Sequence, residues 1–261
     1  MGMDYIKNYY HDKSVEDGRL FLDNKHKTEF ILTIKYIDKY LKEGMKILEL
    51  GAGTGAYSLY YAQQGYEVHA LEYVKENLDI LKSKVKEDMN ITPVLGDARD
   101  LSMYPDNTFD MTLCLGPMYH LDEKGREKCL EESIRVTKPN GLIYLAYISN
   151  NFTFVKCVKK FDNYVEKYKE EIGEGFRLID SQNVFTFMYP KQMEDFIVKY
   201  KLEKVHHLST DGISSLIAER INTLSEKEFE VWIEYLETTA EREDQLGYGE
   251  HLLYIARKRS S

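Results

Sequence analysis

Residues 45–65 read MKILELGAGTGAYSLYYAQQG, a short apolar run that breaks on glycines and resumes as a helix-forming stretch. The run suits a buried strand, and the stretch after it suits a helix ending near Gly65. Glycine has no Cβ, so the turn between them lets a ligand approach the main chain closely. Further units follow. YEVHALE (66–72) reads as a second strand, 75–87 as a helix, ITPVLGD (91–97) as a third strand and TFDMTLCLG (108–116) as a fourth. A helix is predicted at about 122–137, then the turn KPNG (138–141) and a fifth strand, LIYLAYI (142–148). Such alternation implies right-handed crossovers and a parallel sheet.

Before this region, residues 13–43 read as two amphipathic helices, with Gly44 ending the second. After it the alternation breaks. Residues 150–184 read as a mostly helical insertion, 190–200 as a helix, LEKVHHLS (202–209) as a strand, 212–243 as helical, and HLLYIARK (251–258) as a last strand. The expectation is a Rossmann-like α/β sheet of seven strands in one domain, 1–261. Residues 1–43 form a helical cap, and 150–184 and 212–246 are helical insertions able to enclose a small molecule.

Composition narrows the function classes. Net charge is −9, with 44 acidic against 35 basic residues, which disfavours a nucleic-acid binder that must neutralise phosphates. The cysteines, Cys114, Cys129 and Cys157, form no CxxC pair, so neither a zinc site nor a disulfide framework is expected, and a reducing, cytoplasmic setting is the default. No apolar run approaches a membrane span, and MGMDYIKNYYHDK lacks the apolar core of a signal peptide. His206 and His207 are adjacent on a predicted strand and face opposite ways, a poor metal pair, so no metal is expected. Oligomeric state is not legible.

The glycine turn admits two ligands. Gly51, Gly53 and Ala56 fit a dinucleotide fingerprint, and Glu72 lies where a ribose-binding carboxylate would be wanted. Glu49 separates the readings. A carboxylate before the glycines would serve a pyrophosphate poorly, and an ammonium or sulfonium well. The segment ILELGAGTG (47–55), with Glu72 ending the second strand, Asp97 in LGDARDLS, and FDMTLCLG and VTKPNGLIYLA after them, resembles the class I S-adenosylmethionine-dependent methyltransferases. The resemblance is strong over 44–149 and weaker at 185–210 and 250–258. It implies strand order 3-2-1-4-5-7-6, the last strand antiparallel, with S-adenosylmethionine at the carboxyl ends of strands 1 to 4. It places Gly51, Ala52, Gly53 and Glu49 by the methionine part, Glu72 on the ribose and Tyr73 against the adenine. Asp97 and Ala98 fall at the adenine edge, and Leu115 and Gly116 beside the sulfonium.

Methyl transfer from a sulfonium needs close alignment, and a base where the acceptor must lose a proton. His120 in LGPMYHL is the candidate base, or else a packing residue, and Tyr119 orients an acceptor or packs. Arg19 could pair with the cofactor carboxylate through its planar fork. Tyr9 or Tyr10 could belong to a lid. The amino-methylating Asp/Asn-Pro-Pro segment is missing after strand 4, as is a Pro-Cys pair, so the expected acceptor is a small molecule. Two alternatives are a non-catalytic ligand- or partner-binding module and an NAD-dependent oxidoreductase. For the latter, Tyr-x-x-x-Lys pairs such as Tyr9/Lys13 and Tyr200/Lys204 are badly placed.

Overall fold

The computed structural model describes residues 4–12, 16–180 and 184–260. Its centre is a sheet in the order β3-β2-β1-β4-β5-β8-β7. The strands are β1 (Lys46–Leu50), β2 (Glu67–Glu72), β3 (Ile91–Leu95), β4 (Phe109–Cys114), β5 (Thr137–Ser149), β6 (Phe187–Met188), β7 (Glu203–Ser209) and β8 (His251–Arg257). β1 to β5 pair in parallel, and β8 runs antiparallel to both β5 and β7. The expected order is present, with the two-residue β6 as an additional strand paired to β5. That strand is too short to carry an alternating pattern, so the sequence did not announce it.

Helices cover both faces, so the central strands are apolar on both sides. In β1 the side chains from Ile47 to Leu50 are all buried, and Glu49 is the one charged residue among them. The glycine turn leads into α3 (Ala56–Gln63), and α4 (Lys75–Lys84) and α5 (Glu123–Val136) form the next crossovers. The Asp122 carboxylate accepts from the Gly125 amide and caps α5.

Three expectations are corrected. Residues 16–43 hold a single-turn 3-10 segment, Arg19–Phe21, and one α-helix, Asn24–Asp38, here α2, rather than two long helices; residues 13–15 lie outside the described residues. Helix α2 starts where Asp23 accepts from the His26 amide and stops short of Gly44. A further helix, α1 (Asp4–Asp12), precedes it. Finally, KPNG is no free turn. It is a bulge inside β5, whose partners step from Phe109↔Thr137 to Met111↔Leu142 while Asn140 takes φ +67°.

The second half is helical as expected around β6 and β7, with α6 (Asn150–Lys160), α7 (Tyr164–Lys167), α8 (Pro190–Val198), α9 (Ala218–Ile221) and α10 (Glu226–Thr239). Among the described residues no helix is long and apolar enough to cross a membrane.

Gly51 opens the loop after β1 with φ +70°, and a Cβ there would stand 2.9 Å from Pro117 Cδ. Left-handed backbone is costly for a residue with a Cβ, and Pro117 begins the turn that follows β4. Gly51→Ala is expected to lower unfolding free energy by about 1–3 kcal/mol. Chemical denaturation measures this, and an unchanged midpoint would contradict the tight packing described.

Candidate functional site

Two recesses open along the carboxyl ends of β1, β2 and β4. The larger, about 660 Å³ and partly open, is walled by the glycine loop, Glu72, Tyr73, Asp97, Ala98 and the turn Pro117–His120. The second continues from it past Gly51, Gly53, Gly116 and Tyr119 to Arg19, Glu49, Ala52 and Leu115. The topology causes this: β1 lies between β2 and β4, so the loops after all three converge.

Glu72 is the hinge of the site. It ends β2, is 4% exposed, and accepts from the Gly53 amide at 2.7 Å and from the Val74 amide at 2.7 Å. It thereby ties the loop after β1 to the loop after β2. Burial raises its pKa, against the pull of those two amides. Beyond the ligand role expected of it, this carboxylate holds the glycine loop.

Glu49 is 2% exposed and accepts a hydrogen bond from Ser58 Oγ. Burial pushes its pKa up to about 8; Ser58 opposes this and nearby Glu72 adds to it. Among the described residues neither carboxyl group has an ion-pair partner. Asp97 differs. Burial works against its charge, but Arg99 grips both oxygens and holds its pKa below the ordinary value.

Arg19 reaches the second recess with its fork in use. It donates to Glu16 at 3.1 Å and to both oxygens of Glu29 at 2.9 and 3.3 Å. Burial favours protonating Glu29, but Arg19 and then His251 hold its pKa down at about 2. His251 in turn donates to Asp211 at 3.0 Å, so a chain of charges runs from β8 to the recess.

Helix α1 closes over the larger recess. Ile6 is buried in the main core, Lys7 Nζ sits 4.8 Å above the Tyr73 ring, and Tyr10 lines the recess. The Tyr10 hydroxyl and His120 Nε2 are 2.9 Å apart, and His120 Nδ1 is 2.8 Å from the Val184 carbonyl. A carbonyl only accepts, so Nδ1 carries the hydrogen and Nε2 accepts from Tyr10. Burial lowers the His120 pKa to about 4, with the Val184 carbonyl opposing. His120 is thus a neutral imidazole with both nitrogens engaged, not a free group titrating near neutrality. Tyr119 lines both recesses, and burial raises its hydroxyl pKa.

His206 and His207 do face opposite ways. His206 bonds to Tyr40 and Glu241, and His207 to Tyr147 and Glu194, away from both recesses. Cys114 and Cys129, distant in sequence, meet behind the site with sulfurs 3.7 Å apart. Sequence reasoning missed Glu16, Glu29 and Ile6 as parts of the site.

Residues 47–141 match the family profile described as a methyltransferase domain, which covers the glycine loop, Glu72, Asp97 and the turn with His120. That region is a methyltransferase domain by its profile, and it carries the motifs that resemble the class I S-adenosylmethionine-dependent methyltransferases. A demethylmenaquinone methyltransferase of Paenarthrobacter aurescens is 36% identical over 110 residues, 42% of this chain and 41% of that protein. A cypemycin N-terminal methyltransferase of a Streptomyces species is 34% identical over 40% of this chain and 42% of that protein. The chain therefore spans about two fifths of the length of these relatives. A phosphoethanolamine N-methyltransferase of Haemonchus contortus, solved with S-adenosylmethionine, shares the fold at TM-score 0.64 and 15% identity, over all of this chain and 60% of that one.

The residues of this site fit S-adenosylmethionine chemically. Its methionine end carries an ammonium and a sulfonium, and the recess offers a buried carboxyl group without a cation. Its ribose offers two hydroxyl donors, and Glu72 has carboxylate lone pairs left after its two amide bonds.

Glu49 also sets a pH dependence. Its folded pKa of about 8 exceeds the ordinary 4.5, so between these values the folded state holds a proton that the unfolded state has lost. Its contribution to stability is full below pH 4.5 and is lost as pH rises toward 8. Glu49→Gln is expected to flatten that decline in the ligand-free protein. Denaturation midpoints at pH 5 and pH 8 measure it; equal declines in both proteins would contradict the raised pKa.

Proposed function

We propose that this chain transfers a methyl group from S-adenosylmethionine to a small-molecule acceptor, with residues 1–261 working as one domain. The observation that carries this is the pair of buried carboxyl groups at the strand ends, Glu49 and Glu72, which have no ion-pair partner among the described residues. A cationic, hydroxyl-bearing ligand completes them. In this reading Glu49, Gly51, Ala52 and Gly53 border the methionine end, and Arg19 meets its carboxylate by sharing donors now given to Glu16. Glu72 holds the ribose, Tyr73 covers the adenine, and Asp97 and Ala98 address its edge. Leu115 and Gly116 pass beside the sulfur.

S-adenosylmethionine supplies an electrophilic methyl group. The chain supplies alignment, exclusion of water beneath α1, and a route for a proton. An acceptor hydroxyl or ammonium beside Tyr10 gives its proton to the Tyr10 oxygen as the Tyr10 hydrogen moves to His120 Nε2. Val184 keeps the ring in the tautomer that can receive it. The covered cleft supports a small acceptor over a folded macromolecule, and the net charge of −9 agrees with an acceptor other than nucleic acid. A cytoplasmic setting belongs to the same proposal and rests on the cysteine spacing.

Two outcomes are expected. S-adenosylhomocysteine raises the melting temperature and NAD does not, because only a ligand of the folded state stabilises it. Calorimetric binding of NAD with none of S-adenosylhomocysteine would overturn the reading. Once an acceptor is found by its one-methyl gain in mass, His120→Ala lowers turnover by ~10²-fold or more and leaves cofactor affinity nearly intact. The wild-type rate stays level as pH falls through the ordinary histidine range and drops only toward about 4. A drop centred near pH 6.5, the unperturbed value, would show that His120 does not act from the neutral, buried state described.

A further inference from the structure

A second cavity meets the cofactor cleft at His120, whose ring lines both. It holds about 1650 Å³, part of it open to solvent, between α5, the segment 173–180 and the start of α8. Aromatic side chains, Tyr5, Phe185, Phe187 and Tyr189, supply much of its wall. Into it faces Arg126, only 7% exposed.

Arg126 gives its Nη1 hydrogens to the Leu121 carbonyl at 2.8 Å and to Thr186 Oγ1 at 2.9 Å. These bonds fix the guanidinium and leave the edge formed by Nε and Nη2 without a partner among the described residues. No carboxylate comes within ion-pair distance of it there. Burial works against its charge, Glu123 is too far to do more than moderate this, and Arg177 at the cavity mouth repels it. The other charged groups in the wall are differently placed. Asp122, Glu123 and Glu174 are exposed, where water and salt screen them. Asp122 is committed to the Gly125 amide, and Asp180 accepts from the Val184 and Phe185 amides. Arg126 is therefore the one buried charge lining the cavity among the described residues.

A buried guanidinium with one open edge matches an oxyanion, which can accept two parallel N–H bonds. We propose that this cavity seats the methyl acceptor and that Arg126 binds a carboxylate or phosphate group on it, with Arg177 adding charge at the mouth. The anion fixes one end of the acceptor, the aromatic wall covers its body, and its nucleophile points past His120 toward the cofactor. This inference rests on the methyltransferase reading above.

The test uses the full chain saturated with S-adenosylhomocysteine and titrated in a calorimeter with benzoate, phenyl phosphate and the neutral benzamide. At least one anion is expected to bind about ten-fold or more tightly than benzamide, and to weaken with salt. The better anion tells carboxylate from phosphate recognition. Arg126→Gln is expected to reduce that anion to the benzamide level, Arg126→Lys to retain part of the preference, and the exposed Arg177→Gln to lose a smaller part. Benzamide binding as tightly as both anions would overturn the proposal. So would an Arg126→Gln protein that keeps its melting temperature and its anion affinity. Should Arg126→Gln not fold, the wild-type comparison and Arg177→Gln decide. Absence of S-adenosylhomocysteine binding would instead strike the cofactor reading, while its binding without anion preference strikes this inference alone.

Discussion

One buried carboxylate joins the two loops on which the site is built. Glu72 takes an amide hydrogen from Gly53 and another from Val74, so the glycine loop after β1 cannot shift without the loop after β2. A carboxylate this deeply buried would ordinarily be matched by a cation. Here amides match it, and Glu49, on the neighbouring strand β1, has only the hydroxyl and amide of Ser58 beside it. The cleft is thus arranged around two buried acids that have no ion-pair partner among the described residues. That deficit distinguishes it from the network of Arg19, Glu29, His251 and Asp211 nearby, where every charge has an opposite.

The strand-turn-helix core was legible because its determinants are local. An apolar run, a glycine turn and an acid at the next strand end each occupy a few adjacent residues, and parallel pairing then brings them together. Glu49, Glu72, Asp97 and the segment 115–121 were readable on that basis. The remainder depends on contacts far apart in the chain. Tyr10 meets His120 across 110 positions, and no periodicity encodes that hydrogen bond. Arg126 lies inside a helix that reads as ordinary, amphipathic and charged. Its importance comes from burial against Leu121 and Thr186, which the helix pattern does not contain. The 3-10 turn at Arg19–Phe21 replaced an expected helix because Gly18 takes φ +76°, and its Arg19 is drawn to Glu29 on α2.

His120 shows how environment can change a role assigned from residue type alone. As a free imidazole it would titrate near neutrality and act as a simple base. Buried between Tyr10 and the Val184 carbonyl, it stays neutral through the physiological range. In the proposed function it receives a proton through Tyr10, and its hydrogen bond to Tyr10 also ties α1 to the turn after β4.

In the proposed function the cofactor's positive charge completes the buried acid Glu49. With a pKa near 8 in the ligand-free protein, that group is mostly protonated at pH 7, and an arriving ammonium or sulfonium drives the proton off. Calorimetric titration of S-adenosylhomocysteine at pH 7 in buffers of different ionisation enthalpy counts the protons released on binding. Release approaching one proton is expected in the wild type, from the ligand's ammonium acting on Glu49, and none in Glu49→Gln. Binding with no proton release in the wild type, or equal release in both proteins, would contradict it.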